Sequence, residues 1–513
     1  MASEITVLAH RLNQFSERNR HYRDFTLYSL IVAIREIIAC FPVYRTYVRP
    51  DESPVSDRDR RYIDQAVNDA KRRNPALPPL VHDFIRDLLL KRADYIPQEE
   101  RDEYWRFIMR FQQTTSPVTA KGIEDTALYL YHRLVSLNEV GGDPAHFGTR
   151  PGDLHDWLAR RQREWPGSLS ATSTHDTKRS EDVRARINVL SEAPAAWKTA
   201  VGRWARANRR HRREIDGEPA PSRHDEYLLY QTLLGAWPLE DLEHAPDETF
   251  VERICQYMVK AVREGKRHSS WINPNTIYEE ALTGFVCRLL DRRTGAAFQA
   301  EFLPFARHVA HRGIWNSLGQ LLVKVTAPGL PDFYQGTELW DFSLVDPDNR
   351  RPVDYARRSQ VLESLGALDE PLDDDSLQAL VGSRLDGRLK MYVSTAALRA
   401  RRARAELFHR GAYLPLDVTG ARAAHVFAFA RHLDGHAAVT VVPRLTTRLV
   451  AEHTMPPLGD DVWGDTTLQL PPDLRGATWR GVFTRAQYDA GDAARGLRVA
   501  DVLAICPVAL LTT

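Results

Sequence analysis

Residues 172–186 read Thr-Ser-Thr-His-Asp-Thr-Lys-Arg-Ser-Glu-Asp-Val-Arg-Ala-Arg, a polar run between two regular segments. A predicted strand over residues 168–174 ends in this run, and a predicted helix that carries Val183 and Ile187 follows it. The carboxyl ends of such strands form the catalytic face of a (β/α)8 barrel. We therefore expect a site at this junction from strand to helix.

His175 and Asp176 are the candidate binding pair of this run. A carboxylate beside an imidazole can hydrogen-bond two neighbouring hydroxyl groups of a sugar, which is how a site binds a neutral polyol. The sequence leaves a structural alternative open, in which Asp176 caps the following helix and His175 is an incidental neighbour. Lys121 and Lys178 can point to the same mouth, although both fit an exposed surface position equally well.

Residues 1–112 are the first of three predicted parts and read as successive helices. Apolar side chains recur at steps of three and four residues, as in Ile5, Leu8 and Leu12. Ser56 precedes a further helical run and has the arrangement of an N-cap. We therefore predict a helical subdomain over these residues.

Residues 113–365 predict βα units. Strands that alternate with helices indicate a parallel sheet or a barrel. Amphipathic helices fill much of this part, and short apolar runs that end in clustered polar residues predict the strands at 116–118, 168–174 and 321–328.

Residues 366–513 predict an Arg-rich helix near 390–410 and then a small antiparallel β domain. The β domain is indicated by an alternation of apolar and polar residues with a period of two. This alternation predicts strands at 425–431, 437–442, 466–470, 479–483 and 504–511.

A second polar loop is expected at residues 328–338, which read Pro-Gly-Leu-Pro-Asp-Phe-Tyr-Gln-Gly-Thr-Glu. The prolines and glycines indicate a tight exit from a strand. Tyr334, Gln335 and Glu338 are therefore expected on a loop, where they can contact a ligand. Two basic residues further on are expected to pair with nearby acids and to fix this loop, namely Arg350 and Arg351.

Composition excludes several classes of partner. Lys and Arg total 69 and Asp and Glu total 68, so the net charge of +1 gives no field that attracts nucleic acid or an anionic membrane. No apolar run approaches the roughly 20 residues of a membrane span, and no secretory signal is recognised, so a cytoplasmic protein is expected. No metal or organic cofactor is indicated. The cysteines are far apart in the sequence and predict buried thiols instead of a zinc site or a disulfide framework: Cys40, Cys255, Cys287 and Cys506.

The run at 172–186 resembles the last catalytic motif of the maltooligosyltrehalose synthases, a family of the α-amylase superfamily. The resemblance continues in the family's order over nearly the whole chain, at 41–47, 111–129, 134–144, 225–238, 270–275 and 328–355. It implies an isomerase of glycoside hydrolase type that acts in trehalose biosynthesis. Such an enzyme converts the reducing-end α-1,4 bond of a maltooligosaccharide into an α,α-1,1 bond by intramolecular transglycosylation.

The resemblance also implies roles for single residues. Retaining enzymes of this kind use an aspartate nucleophile, a glutamate acid/base and a further aspartate that holds ring hydroxyls. Asp176 matches the third of these, and His175 matches a histidine that contacts the same sugar. Lys121 and Lys178 are expected to hold the leaving glucose while it turns over, because its escape would leave hydrolysis as the outcome. Further substrate contacts are expected from Arg179, Tyr334, Gln335 and Glu338.

Two motifs of the family are absent from this chain. The nucleophile motif Gly-x-Arg-x-Asp-His does not occur, and neither does a Glu that closes an apolar strand ahead of a Lys. We therefore expect the C-terminal portion of such an enzyme: an α/β protein with the last strands of a partial (β/α)8 TIM barrel, a large helical insertion and a C-terminal antiparallel β domain. The chain alone is then expected to be inactive, with a separate N-terminal barrel half as a candidate partner.

Two other functions stay open beside this one. An α-glucan hydrolase of the same superfamily would present similar sugar contacts. A non-catalytic α-glucan-binding remnant would keep such contacts without a nucleophile. The products formed from a maltooligosaccharide, once the missing half is supplied, separate the two enzymatic functions.

Overall fold

The computed structural model describes residues 2–51, 53–450, 452, 454–489 and 496–513. The chain forms two compact units, Met1–Leu130 and Tyr131–Thr513. The three-part division expected from the sequence, with boundaries after residues 112 and 365, stays a prediction. Within the described ranges, none of the helices combines the length and the apolar character that crossing a bilayer requires.

The first unit is helical, as its apolar spacing predicts. Ser56 caps its third helix by accepting a hydrogen bond from the backbone N–H of Asp59 at 3.1 Å, which confirms the predicted N-cap. Buried side chains from the successive helices form one core, to which Leu12, Ile37 and Phe84 belong. The helices are α1 (Ala2–Glu17), α2 (Leu27–Ala39), α3 (Asp57–Arg73), α4 (Pro79–Leu89) and α5 (Arg101–Thr119).

Residues 116–118 do not form the predicted strand. They lie in the last turn of α5, which runs through Pro117 and continues as a π-helical turn, Ala120–Glu124. Gln112 anchors this end of the helix, because its side chain accepts a hydrogen bond from the backbone N–H of Val48 at 2.7 Å and donates to the carbonyl of Val48 at 3.1 Å. Gln112 and Val48 are 64 residues apart, so their contact leaves no signal in the local sequence. The strand prediction for residues 116–118, which was based on local sequence alone, is therefore wrong.

The second unit begins with helices around a short pair of parallel strands. β1 (Leu169–Ala171) lies inside the predicted strand at 168–174 and pairs in parallel with β4 (Leu330–Asp332). A separate hairpin is formed by β2 (Arg213–Ile215) and β3 (Glu218–Ala220). The helices before β4 are α6 (Pro151–Glu164), α7 (Glu181–Asn188), α8 (Pro194–Ala207), α9 (Arg223–Ala236), α10 (Glu248–Gly265), α11 (Thr276–Leu290) and α12 (Ala296–Thr326).

Residues 321–328 are mostly helical, which corrects the strand predicted there. They include the last turn of α12, and β4 starts only at Leu330. The seven consecutive residues from Val309 to Trp315 are all buried, as are Leu321, Leu322 and Val325, so this helix is buried on more than one face. A short apolar run cannot distinguish a helix buried on several sides from a buried strand, which explains the error.

The C-terminal part is an antiparallel β domain, as predicted, although the strand expected at 504–511 starts only at Ala509. Two sheets form it, with strand orders β11-β10-β13-β8-β7-β5 and β12-β9-β6. Their strands are β5 (Ala412–Pro415), β6 (Asp417–Thr419), β7 (Val426–Leu433), β8 (His436–Pro443), β9 (Thr467–Gln469), β10 (Thr478–Gly481), β11 (Gln487–Asp489), β12 (Leu497–Arg498) and β13 (Ala509–Thr512). The accompanying helices are α13 (Tyr355–Ser364), α14 (Asp374–Gly382), α15 (Arg388–Ala403), α16 (Ala405–Arg410), α17 (Asp460–Trp463) and α18 (Val499–Val502).

The cysteines depart from their expected burial and separation. Cys40 and Cys506 are buried, whereas Cys287 is exposed and Cys255 is only partly buried. The Sγ atoms of Cys255 and Cys287 lie 3.9 Å apart. The expectation of four isolated, buried thiols is therefore wrong for this pair.

Candidate active site

Two loops leave the parallel strands at the same edge of the pair. We call residues 172–180, which follow β1, loop A, and residues 333–354, which follow β4, loop B. Because β1 and β4 run parallel, both loops start from their carboxyl ends. The backbone N–H of Ser180 donates to the carbonyl of Ser343 at 3.0 Å, and Arg179 and Leu344 form an antiparallel bridge. The two polar clusters of the sequence thus form one rim.

Asp176 presents its carboxylate at this rim, where 48% of the side chain is exposed. Its backbone N–H donates to the hydroxyl of Thr174 at 3.2 Å, which fixes the turn. The N-cap of α7 is Ser180, so the alternative in which Asp176 caps that helix is wrong. The carboxylate is therefore free of a capping role and faces solvent.

His175 lies beside Asp176 and is exposed. Its backbone carbonyl accepts a hydrogen bond from Nδ2 of Asn349 in loop B at 3.2 Å. This bond ties the middle of loop A to loop B, so the imidazole and the carboxylate are held on one surface.

Lys178 is buried, with 3% of its side chain exposed, and its Nζ is 3.8 Å from Oδ1 of Asp176. The alternative of a surface lysine is therefore wrong for this residue. The backbone N–H of Lys178 donates to both carboxylate oxygens of Glu139, at 2.9 and 3.1 Å. Glu139 was not predicted from the sequence, although it lies in the family-like run at 134–144, and it fixes the turn that presents Asp176.

Arg179 is buried and bonded to protein groups. Its guanidinium donates to the hydroxyl of Tyr257 on α10 at 2.6 Å and to the carbonyl of Val135 at 3.3 Å. Through these contacts Arg179 joins loop A to α10 and to Val135. Arg179 therefore supports the rim from inside the protein.

The predicted residues of loop B differ in what they contact. Gln335 is exposed, and Tyr334 is half-buried with its hydroxyl donating to the carbonyl of Asn349 at 3.2 Å. Glu338 accepts a hydrogen bond from Nε of Arg358 at 2.9 Å and retains 40% side-chain exposure. Tyr334 is thus the member of this group that is linked to His175, through Asn349.

Ion pairs fix the far end of loop B. Arg253 of α10 donates to both carboxylate oxygens of Asp348, at 2.7 and 2.9 Å, and Arg351 lies 3.0 Å from the same carboxylate. Lys260 of α10 pairs with Asp346 at 2.8 Å. Burial alone would raise the pKa of Asp348, but the hydrogen bonds and charge of Arg253 outweigh it and lower that pKa. The expected pairing of Arg351 is confirmed.

A cluster of buried charges lies directly beneath loop A. Glu181 and Asp182 start α7, and Lys390 of α15 donates to them at 2.9 and 2.8 Å. Lys324 of α12 donates to Glu181 at 3.4 Å and to the hydroxyl of Thr172 at 2.8 Å. Burial acts to raise the pKa of Glu181, but the two ammonium groups lower it to about 2. The carboxylate is therefore ionised, and it accepts a hydrogen bond from the hydroxyl of Thr172 at the start of loop A.

Lys121 belongs to the first unit and lies in the π-helical turn that ends α5, not at a strand end. Its side chain is exposed and pairs with Asp125 at 2.5 Å. The candidate residues that the structure brings together lie in the second unit and are His175, Asp176, Lys178 and Tyr334.

A cavity of about 660 Å³ in the second unit is lined in part by the residues of β1. Trp157 of α6, Gln320 of α12 and Phe427 of β7 are among the residues that line it, and neither His175 nor Asp176 reaches it. In the part of the chain that the structure describes, no three His, Cys, Asp or Glu side chains are grouped to hold a metal ion.

Fold and site define a mixed helix and sheet protein with an exposed polar rim at the carboxyl ends of its two parallel strands. No protein-family model matches the chain. A putative maltooligosyl trehalose synthase of Mycobacterium tuberculosis is 41% identical over 360 residues, which are 70% of this chain and 42% of the relative. The maltooligosyltrehalose synthase of Arthrobacter ramosus has a similar structure, with a TM-score of 0.76 and 34% identity over 100% of this chain and 56% of that one.

A hypothetical maltooligosyl trehalose synthase of Sulfolobus tokodaii is also similar, with a TM-score of 0.67 and 26% identity over 99% of this chain and 58% of the other. The resemblance of this chain to the maltooligosyltrehalose synthases is therefore confirmed. The chain spans about half the length of the relatives that it matches.

Proposed function

We propose that this chain supplies the sugar-holding portion of a maltooligosyltrehalose synthase that works in the cytoplasm. The reaction is the intramolecular transglycosylation of the reducing-end α-1,4 bond of a maltooligosaccharide to an α,α-1,1 bond. The observation that carries the proposal is the half-exposed carboxylate of Asp176. It stands on a loop whose backbone N–H groups are hydrogen-bonded, that of Asp176 to Thr174 and that of Lys178 to Glu139. Similarity to proteins named for this activity over all of the chain supports it.

In this proposal Asp176 accepts hydrogen bonds from ring hydroxyls of the reacting glucose as positive charge develops on that ring. His175 contacts the same ring from the adjacent position. The ammonium of Lys178, 3.8 Å from Oδ1 of Asp176, attracts that carboxylate and orients it. Tyr334, Gln335 and Glu338 stay candidate contacts for the neighbouring glucose units. Lys121, in the first unit, stays a candidate substrate contact. Arg179 is buried and bonded to protein groups, so its proposed role is to support loop A.

The two parallel strands are, in the same proposal, the last strands of a (β/α)8 barrel. Leu169 and Leu330 are register partners and are 68% and 41% exposed, although parallel sheets normally have both faces covered. Further strands from a separate barrel half would cover these leucines. That half would also carry the nucleophile and the acid/base, which the motifs of this chain do not supply.

The test is product analysis with maltopentaose. The purified chain is expected to give no product, because a retaining mechanism needs both missing carboxyl groups. Co-expression with the segment of the Arthrobacter ramosus synthase that this chain does not match is expected to give a non-reducing, trehalose-ended product. Glucose and shorter maltooligosaccharides would identify a hydrolase instead, and glucan binding without any product would identify a binding remnant.

Asp176→Asn in the reconstituted assembly separates catalysis from assembly. The neutral amide is expected to lower kcat by at least roughly 10³-fold while the two polypeptides still associate. Asp369→Asn is the matched control, since Asp369 is an exposed carboxylate that lies outside loops A and B and 3.7 Å from Arg399. Trehalosyl product from the chain alone, or an Asp176→Asn assembly as active as the control, contradicts the proposal.

A further inference from the structure

A pair of thiols lies on the seam between α10 and α11. Cys255 of α10 and Cys287 of α11 have their Sγ atoms 3.9 Å apart. The sulfur of Cys255 is also 3.9 Å from the carbonyl oxygen of Thr283, one turn before Cys287 on α11. The two thiols therefore face each other across two packed helices.

The same seam carries an ion pair that fixes its register. Arg263 of α10 donates to both carboxylate oxygens of Glu279 of α11, at 2.8 and 2.7 Å. Cys255 precedes Arg263 by eight residues, and Cys287 follows Glu279 by eight residues. The helices thus run antiparallel in one register, with the two pairs about two turns apart. The geometry that aligns the ion pair also aligns the thiols.

The two thiols differ in their access to solvent. Cys287 is exposed, whereas Cys255 is partly buried. Burial and the neighbouring Cys287 raise the pKa of the Cys255 thiol to about 12, so Cys255 stays protonated at neutral pH. A dissolved oxidant therefore meets Cys287 first, and Cys255 is left as the second, resolving thiol.

We propose that Cys255 and Cys287 are a modification site at which hydrogen peroxide converts two thiols into a disulfide bond between α10 and α11. The thiol of Cys287 attacks peroxide, the O–O bond breaks, and a sulfenic acid and one water form. The sulfur of Cys255 then attacks the sulfenic sulfur, and the S–S bond forms as a second water leaves with the proton of Cys255. Two thiols lose two electrons in total, and one peroxide is reduced to two waters.

The site has a consequence for the rim, because α10 supports both loops. Tyr257 of this helix accepts the hydrogen bond from Arg179 of loop A, and Arg253 and Lys260 hold Asp348 and Asp346 of loop B. A disulfide fixes the middle of this helix to α11, about two turns from the Arg263 ion pair. Oxidation therefore stiffens the layer on which the candidate active site rests.

The full chain under native conditions tests the proposal without substrate. After mild peroxide treatment and alkylation, we expect a mass loss of about 2 Da before labelling and a cross-linked peptide pair that contains Cys255 and Cys287. The melting temperature is expected to rise by about 3–5 °C, and dithiothreitol should reverse both changes. Buried Cys40 and Cys506 should stay reduced.

Two variants make the result specific. Cys255→Ser removes the resolving thiol, so Cys287 is expected to proceed to sulfinic acid with no gain in melting temperature. Cys506→Ser, at a buried thiol away from the seam, should form the same cross-link as the wild type. Sulfinic acid at Cys287 of the wild-type chain, or covalent dimers through Cys287 in place of the internal cross-link, would overturn the proposal.

Discussion

Lys390 joins three segments of the second unit through one ammonium group. Its Nζ donates to Glu181, to Asp182 and, at 3.1 Å, to the carbonyl of Leu339, so all three protons are bonded. Lys390→Met leaves buried carboxylates uncompensated and is expected to lower the free energy of unfolding by about 3–5 kcal/mol. Urea unfolding measures this loss, with Lys198→Met on the exposed face of α8 as the control. A loss no larger than in the control would contradict the role given to Lys390.

Glu181 gives this cluster a pH dependence of defined sign. Its pKa is lowered from its ordinary value of 4.5 to about 2, so its stabilising contribution is complete above pH 4.5 and is lost as the pH falls toward 2. The difference in unfolding free energy between the wild type and Lys390→Met is therefore expected to be largest near pH 7 and to shrink below pH 4.5. Unfolding curves at a series of pH values measure it, and a constant difference down to pH 2.5 would argue against the pairing.

Single residues of the rim were predictable only where the signal was local. The polar run at 172–180 predicted a junction between a strand and a helix, and the structure has loop A between β1 and α7 at these residues. The burial of Lys178 and the role of Glu139 could not be predicted, because both depend on packing between segments about 40 residues apart. The roles of these residues toward a sugar stay predictions.

Helix α7, which starts directly after loop A, crosses its neighbours at two glycines. A Cβ on Gly313 of α12 would lie 2.9 Å from Cα of Arg186, and one on Gly235 of α9 would lie 2.7 Å from Cγ1 of Val183. Alanine normally stabilises a helix relative to glycine by about 1 kcal/mol, but the added methyl group here meets α7. Gly313→Ala is therefore expected to destabilise the protein by about 1–3 kcal/mol. Gly202→Ala on α8, with no atom within 4 Å, should stabilise it, and thermal melting compares the two.

Elements were predictable where periodicity was unambiguous. The apolar residues of the first unit repeat at steps of three and four, and the predicted helices are found there. β7 and β8 form an antiparallel pair as predicted, although both strands are buried on both faces along almost their whole length. The strand prediction for residues 321–328 was wrong because these residues end a helix that is buried on several sides. The apolar residues of such a helix have no clear period. The burial of this helix depends on segments that are distant in the sequence, so a short stretch of sequence could not predict it.

The division of the whole molecule into two units gives the last prediction. The buried core of the first unit is made of residues from its own helices, Leu12, Ile37, Phe84 and Phe111 among them, and its length is typical of one domain. Residues 2–130 expressed alone are therefore expected to give a helical circular dichroism spectrum and one cooperative urea transition.

Phe84→Ala should lower the unfolding free energy of that polypeptide by about 3–5 kcal/mol, because the ring is 1% exposed and its loss leaves a cavity. Tyr28→Ala, which removes a ring that is 76% exposed, is the matched control and should change it by less than about 1 kcal/mol. Equal effects of the two variants, or a broad transition without cooperativity, would mean that this core depends on residues outside the first unit.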